Sequence, residues 1–207
     1  MTSESGSPTP RGPLASIPRG VLLLGRGDAA GLNCFRSGRD AVLSAMAPSL
    51  ALFLVVVVLQ FLQGPSAREL TKIMLLLTAL LLRLVVTQAL AAHWSRQGLW
   101  TRYASAMLWS DWLPPVLSLT AGGLLHVIAP AIADTKGATL GVLIVIEAYD
   151  LWLSWFVARA GLVLRWSQAL LLVGIVLTTT IALYYVAAML PPHYNVWTEL
   201  TTPMFQR

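Results

Sequence analysis

Five long apolar segments, each of roughly 20 residues, restrict the fold of this sequence more than any other feature. A helix needs about 20 predominantly apolar residues to cross a hydrocarbon core about 30 Å thick. Only helices and closed barrels satisfy their backbone hydrogen bonds in lipid, and segments of this length fit helices. The sequence therefore predicts an all-α fold, a polytopic membrane bundle of about five transmembrane helices. The predicted spans are 41–62, 71–92, 104–128, 138–158 and 168–190.

The composition agrees with a chain surrounded by lipid rather than by water. Charged residues make up 11% of the sequence and hydrophobic residues 57%, whereas about a quarter of a soluble domain is charged. So few charges do not cover a water-exposed surface, and lipid must be the solvent over most of it. Two other counts stay open. There are six spans if the C-terminal segment re-enters the membrane, and four if the third segment, which contains Pro114-Pro115, forms only a hairpin.

The sequence divides into two short tails and one membrane domain. Residues 1–20 are polar and rich in Ser, Pro and Gly, so they bury too little apolar surface to offset the entropy of ordering. We therefore predict a disordered cytoplasmic tail over 1–25, a five-helix membrane domain over 26–190 and a short periplasmic tail over 191–207. Within the domain, 26–40 fits a short interfacial helix about as well as a plain linker.

The distribution of Lys and Arg predicts the orientation of the spans. Cytoplasmic segments of membrane proteins carry an excess of these residues. With the N-terminus inside, nine of them lie in inside segments and four in outside segments, so the bundle is predicted to be N-in and C-out. Because the basic residues flank spans, the net charge of +5 does not indicate nucleic acid. The inside residues are Arg11, Arg19, Arg26, Arg36, Arg39, Arg96, Arg102, Arg159 and Arg165, and the outside residues are Arg68, Lys72, Lys136 and Arg207.

Four charged residues fall inside predicted spans, and they are the candidate functional residues. Arg83 lies near the middle of the second span, Asp111 about two turns into the third, and Glu147 and Asp150 near the middle of the fourth. Each costs roughly 2.5–3.5 kcal/mol at a helix centre, so such residues usually pair or line a wet cavity. Glu147 and Asp150 are three residues apart and share a helix face, with Ser154 four residues further on.

We hypothesise from this spacing that Arg83 bonds to Glu147 or Asp150 inside the bundle. A buried ion pair that fixes the register of the helices is the structural interpretation, and we prefer it. A proton path, an ion path or a substrate site at the midplane is the functional interpretation. Two carboxylates beside a single Arg leave one uncompensated, which keeps the transport interpretation open.

Motifs for catalysis or cofactor binding are missing from the sequence. The three histidines lie on different segments without metal-ligand spacing, and Cys34 is the single cysteine. We therefore predict a protein that is not an enzyme and that holds neither a cofactor nor a metal. Gly137-xxx-Gly141 matches a motif for close helix packing, and we ascribe it to packing within the chain.

Two sequence blocks resemble bacterial membrane proteins of the Yip (Ypt-interacting protein) type. A pattern W-x-R-Y-x-x-A-x-x-W opens the third span, and a pattern Y-x-L-W-x-x-W-F-x-A-R closes the fourth. The resemblance covers roughly residues 25–190. Leu108 stands where the first pattern often has Asn, and Asp111 is the candidate for supplying a polar group instead. The patterns comprise Trp100, Arg102, Tyr103, Ala106 and Trp109, and then Tyr149, Leu151, Trp152, Trp155, Phe156, Ala158 and Arg159.

The resemblance implies a five-helix, N-cytoplasmic bundle in a bacterial inner membrane, and it implies no activity. Eukaryotic members are linked to vesicle traffic and small GTPases, which cannot be carried over to a bacterium. We predict a multi-pass protein that acts as a structural or organising partner of other membrane components. Its predicted partners are the lipid bilayer and other membrane proteins or a second copy of the chain. The alternative is a small transporter or channel subunit that uses Arg83, Asp111, Glu147 and Asp150.

Overall fold

The computed structural model of the chain describes residues 13–64, 67–133 and 135–189, and these residues are helical apart from short connections. The prediction of an all-α protein is confirmed. The described residues form eight α-helices and one 3₁₀ turn. They are α1 (Pro13–Gly25), the 3₁₀ turn (Ala29–Cys34), α2 (Arg39–Gln63), α3 (Ala67–His93), α4 (Gln97–Ser110), α5 (Leu113–Ile128), α6 (Pro130–Ala133), α7 (Lys136–Gly161) and α8 (Trp166–Met189).

Four of these helices are long and apolar enough to cross a membrane. They lie within α2, α3, α7 and α8, and they coincide with the first, second, fourth and fifth predicted spans. The chain therefore has the helices of a membrane protein. The apolar stretches are Arg39–Leu62, Leu70–His93, Gly137–Gly161 and Trp166–Met189.

The third predicted span, 104–128, is divided into two helices. α4 ends at Ser110, and α5 begins at Leu113. Between them, Asp111 and Trp112 form a turn. The helices have 14 and 16 residues, or about 21 and 24 Å, so each is shorter than a hydrocarbon core of about 30 Å. Both pack against α7.

Pro114 and Pro115 explain why the third segment is divided. In a continuous helix, their nitrogens would donate to the carbonyl groups of Ser110 and Asp111, but proline has no N–H. Proline is tolerated in the first turn of a helix, where the N–H has no helical acceptor, and both prolines lie in the first turn of α5. The pair therefore ends one helix and begins the next instead of kinking a single span.

The hydrophobic core lies in one half of the molecule, which we call the core half. α4 is at its centre and contacts α1, α2, α3, α7 and the 3₁₀ turn. Six consecutive residues of α4, 103–108, are buried, so this helix is covered on every side. The rest of the core comes from α1, the 3₁₀ turn with Phe35, the first turns of α2, the last third of α3, the second half of α7 with the residues that follow it, and the first half of α8.

The other half of the molecule, which we call the open half, has little core. It comprises α5, the N-terminal halves of α3 and α7 and the C-terminal halves of α2 and α8. In the part of the chain that the structure describes, a small buried cluster around Leu75 and Ala187 joins α3 to α8 there. Large apolar side chains elsewhere in this half are exposed, for example 66% for Ile144 and 81% for Val127. An apolar surface of this extent suits lipid or another apolar helix.

Gly137 and Gly141 lie on this open half, near the start of α7. A Cβ atom built on either glycine would meet no described atom within 4 Å. The prediction that this motif packs within the chain is therefore wrong for the described residues. We call the surface of α7 that carries the two residues the glycine face.

The prediction of a disordered tail over 1–25 is wrong for Pro13–Gly25, which forms α1. This helix packs against the 3₁₀ turn, α4 and α7, and Leu24 is completely buried in the core. Burial of a Leu side chain stabilises the folded state by about 1.5–3 kcal/mol. The prediction of a disordered tail is based on the polar composition of the preceding residues and does not include this contribution. Residues 1–12 and the predicted tail over 191–207 lie outside the described residues.

The segment 26–40 contains the 3₁₀ turn and is part of the core half. Leu32 and Phe35 are each 5% exposed and pack in the core. The turn lies very close to α1, because a Cβ atom on Gly31 would come within 2.7 Å of the carbonyl oxygen of Gly20. Both positions therefore require glycine, and the segment is a packed lead-in to α2.

Candidate intramembrane charge site

Arg83 is the centre of a charge site at which α3, the α4–α5 turn and α7 meet. Its Nη1 donates to both carboxylate oxygens of Asp111 at 3.0 Å, and its Nη2 donates to Ser154 Oγ at 3.1 Å. The side chains of Arg83 and Asp111 are only 22% and 28% exposed. We call Arg83, Asp111 and Ser154 the charge clamp, because one guanidinium connects three separate elements.

The hypothesis that Arg83 bonds to Glu147 or Asp150 is wrong, because its ion-pair partner is Asp111. The sequence places Asp111 only two turns into a span that begins at 104. α4 instead begins at Gln97, so Asp111 follows a whole helix of 14 residues. The additional length carries the carboxylate to the level of Arg83.

Glu147 and Asp150 do not share one environment. Glu147 is exposed, whereas Asp150 is half-buried and lines two spaces beside Arg83. Three residues turn a helix by about 300°, so the two side chains are about 60° apart, and the edge of the buried face passes between them. The structure brings Arg83, Asp111 and Asp150 together and leaves Glu147 outside the site.

Asp150 borders a cavity of about 150 Å³ between α3, α4, α7 and α8. Its polar lining also includes Arg83, Tyr103, Ser154 and Thr180, and the rest of the lining is aliphatic. The Thr180 hydroxyl is occupied, since it donates to a carbonyl of its own helix at 2.9 Å. Over 13–64, 67–133 and 135–189, no residue forms a hydrogen bond or ion pair with the Asp150 carboxylate. The cavity therefore ends at a carboxyl without a direct partner.

A narrow gap on the clamp side of Asp150 holds a second group without a partner. Arg83, Ser110, Asp111 and Ser154 line this gap with Asp150, and it has no room for a water molecule. Ser110 is 2% exposed, and its buried Oγ finds no hydrogen-bond partner in the described part of the chain. Buried hydroxyl groups are nearly always hydrogen-bonded, so this exception beside the charge clamp is unusual.

The site contains one guanidinium and two carboxyl groups, so its formal charge is −1 if all three are ionised. In the charge clamp, the charges of Arg83 and Asp111 are paired with each other, and the Asp150 carboxyl has no ion-pair partner among the described residues. An ionised carboxylate that is half-buried and has no direct partner is unfavourable and tends to be neutralised. Chemically, the site can hold three helical elements in register, and it offers one carboxyl that can accept a proton or a small cation.

The first family-pattern block lies on α4 and serves mainly in packing. Tyr103 is 2% exposed, and Trp100 Nε1 donates to Thr87 Oγ1 on α3 at 3.3 Å. Trp109 is half-buried beside the first turns of α2. Arg102 has a buried Nε that no described residue pairs. These contacts fix α4 between α2 and α3.

The second family-pattern block lies on the C-terminal half of α7. The Tyr149 hydroxyl donates to the carbonyl of Gly25 at 2.9 Å and so holds the end of α1. The rings of Tyr149 and Trp152 are 5.7 Å apart. The guanidinium of Arg159 lies 5.5 Å from the centre of the Trp155 ring, a cation–π contact. This block therefore secures both α1 and the last turns of α7.

Sequence reasoning missed Ser110 as part of the site and Gly25 as the acceptor of the Tyr149 hydroxyl. Ser110 directly precedes Asp111, but a serine in an apolar helix carries no signal by itself. The sequence signal that could have located Gly25 at the end of a packed helix is the apolar run Val21–Leu24 before it. This run is short for a span but long enough to bury one helix face.

No protein-family model, no curated protein and no solved structure matches this chain. Within the described ranges, no group of three or more His, Cys, Asp or Glu residues could hold a metal ion. The fold and the site define a helical membrane protein with a charge site among its helices.

Proposed function

We propose that the chain is a non-enzymatic, multi-pass membrane protein that serves as a structural or organising partner of other membrane components. The observation that carries this proposal is the contrast between the two halves of the molecule. The core half closes around α4 and the charge clamp. The open half presents apolar helices that no described part of the chain covers, including the glycine face of α7. Small residues let helix backbones approach closely in lipid, so the proposed partner is a transmembrane helix.

The proposal includes five crossings, with the N-terminus in the cytoplasm of a bacterium and the chain in its inner membrane. α4 and α5 together would form the fifth crossing, and the contacts of both helices with α7 support this. The excess of Lys and Arg in the inside segments supports the orientation. Membership of the Yip type is proposed on the two sequence blocks, which lie on α4 and α7 and pack against each other.

Disulfide crosslinking in native membranes tests the proposed partner surface. Cys34 is first replaced by Ser, and one cysteine is then introduced as Gly141→Cys or as Leu143→Cys. The two positions are about 200° apart on α7, and both are exposed. A partner helix on the glycine face gives a crosslinked product at position 141 and none at 143.

Differently tagged copies of the chain in the same cells show whether the crosslinked helix is a second copy. Equal crosslinking at both positions would indicate random collision. If neither position crosslinks and the protein is monomeric in lipid nanodiscs, the organising function is rejected.

A second candidate function, a small transporter or channel subunit, is favoured by the cavity that reaches Asp150. Intramembrane carboxyl groups beside a cavity often mark ion or proton paths. In this function Asp150 would carry the transported charge and the charge clamp would hold the helices around it. Glu147 would have no part, because it is exposed outside the site.

Ion flux into proteoliposomes tests this second function. A transporter shows flux that disappears in Asp150→Asn and persists in Glu147→Gln, the matched change on the same helix. Flux that is absent from the unmodified protein, or unaffected by Asp150→Asn, rejects transport through this site.

A further inference from the structure

We infer that Asp150 is a proton-binding site inside the membrane, whose carboxyl takes up and releases one proton while the charge clamp stays closed. This inference goes beyond the proposed organising function, and it requires no transport. It rests on the geometry of three groups: the clamp, the cavity and the unpaired Ser110 hydroxyl.

In the charge clamp, both terminal nitrogens of Arg83 donate to groups other than Asp150. Nη1 donates to both carboxylate oxygens of Asp111, and Nη2 donates to Ser154 Oγ. One positive charge therefore has one bonded carboxylate, and the second carboxylate lies nearby without a hydrogen bond. Neutralisation by a proton removes the net charge of the site without disturbing any bond of the clamp.

Two hydroxyl groups share the linings around Asp150, and neither of them bonds to it within the described residues. Ser110 Oγ is buried and unpaired at the gap, and the Tyr103 side chain is 2% exposed and lines the cavity. A hydroxyl can donate to a carboxylate or accept from a carboxylic acid. The unpaired Ser110 hydroxyl is therefore compatible with both protonation states of Asp150, whereas a fixed cationic partner would suit only the ionised one.

The groups that face Asp150 come from three directions. α3 contributes Arg83, and α4 with its following turn contributes Tyr103 and Asp111. α8 contributes Thr180 and aliphatic side chains, and no charged residue of α8 lines the cavity. The nearest charges are thus the two members of the clamp, which cancel each other.

The cavity gives the proton a route to the carboxyl. Its volume of about 150 Å³ holds a few water molecules, each of which occupies about 30 Å³. A hydronium ion in the cavity transfers a proton to Asp150, the carboxylate becomes a carboxylic acid, and water remains. Release is the reverse step, with water as the acceptor.

Infrared difference spectroscopy of the full chain in lipid nanodiscs tests the inference. The carbonyl stretch of a protonated carboxyl is recorded as the pH changes, with ¹³C-labelled aspartate to separate Asp from Glu signals. We expect a band from one protonated aspartate at neutral pH, shifted by the label and absent from Asp150→Asn. The band remains in Glu147→Gln, the matched control.

Thermal stability keeps the inference testable if the spectra overlap. A neutral Asp150 predicts that Asp150→Asn unfolds within a few degrees of the unmodified protein, because the amide resembles the protonated acid. An Asp150→Asn protein that does not fold, or a band unchanged by this substitution, overturns the inference. A proton site in a protein that crosslinks at neither position and is monomeric in nanodiscs would retain the inference and reject the organising function, so the two failures are distinguishable.

Discussion

At the scale of single residues, the sequence identifies the intramembrane charges but not their pairing. Arg83, Asp111 and Asp150 are recognisable because charges are rare in apolar segments. Which of them pair depends on the position at which α4 begins and ends, and this follows from tertiary burial of α4 and from the proline pair. The proline pair is visible in the sequence but the tertiary burial of α4 is not, so the partner of Arg83 could not be predicted from spacing alone.

The pairing gives a charge-swap prediction. Arg83→Asp places three carboxyl groups at one site, and the loss of a buried pair costs about 3–5 kcal/mol. Adding Asp111→Arg restores opposite charges at the two positions and should recover part of that loss. Thermal unfolding in detergent or nanodiscs measures the effect.

The matched control combines Arg83→Asp with Glu147→Arg, which places the new cation outside the site. No recovery is expected there. Recovery with Glu147→Arg and none with Asp111→Arg would contradict the observed pair.

The close approach of α1 and the 3₁₀ turn gives a second residue-scale prediction. Gly20→Ala puts a Cβ atom 2.7 Å from Cys34 Cβ, and such overpacking costs about 1–3 kcal/mol. Gly174→Ala on α8, where nothing lies within 4 Å, should be neutral or stabilise by up to about 1 kcal/mol. Thermal unfolding of the two variants should separate them, and equal stability would mean that α1 does not lie against the turn.

At the scale of elements, the long helices were predictable and the short ones were not. The four long spans each provide enough apolar length to be recognised without tertiary information. α1 and α4 are stabilised instead by contacts from several neighbours, so their sequences need not be continuously apolar. The two errors at the scale of elements, the disordered tail over 1–25 and the continuous helix over 104–128, fall on such elements.

The packing of α1 predicts unequal effects from two leucines two residues apart. Leu24 is completely buried, whereas Leu22 is 56% exposed. Leu24→Ala should cost about 2–5 kcal/mol, and Leu22→Ala should cost less than about 1 kcal/mol. Unfolding temperatures in the same detergent compare them. A disordered segment would give two equally small effects, and that result would rule out the packed helix.

At the scale of the whole molecule, the number of crossings depends on α4 and α5. Because α3 ends at His93 and α7 begins at Lys136, the segment between them either crosses the membrane or returns to the same side. Two positions that flank this segment, Gln97 and Ala131, are exposed and suit labelling.

Cysteine labelling in intact cells distinguishes the two cases. In a Cys34→Ser background, Ala131→Cys should react with a membrane-impermeant maleimide, and Gln97→Cys should react only after permeabilisation. This pattern corresponds to five crossings with the N-terminus inside. Reaction of both positions under the same condition would mean that α4 and α5 do not cross, and the reversed pattern would invert the orientation.

The charge clamp also has a consequence for the biogenesis of the protein. The partners of Arg83 lie 28 and 71 residues later in the chain, so they leave the ribosome after α3 does. Until then the guanidinium has no counter-ion, and lipid is an unfavourable place for it. Pairing of Arg83 therefore has to wait until the segment that carries Asp111 has followed α3, and the charge clamp is complete only when α7 brings Ser154.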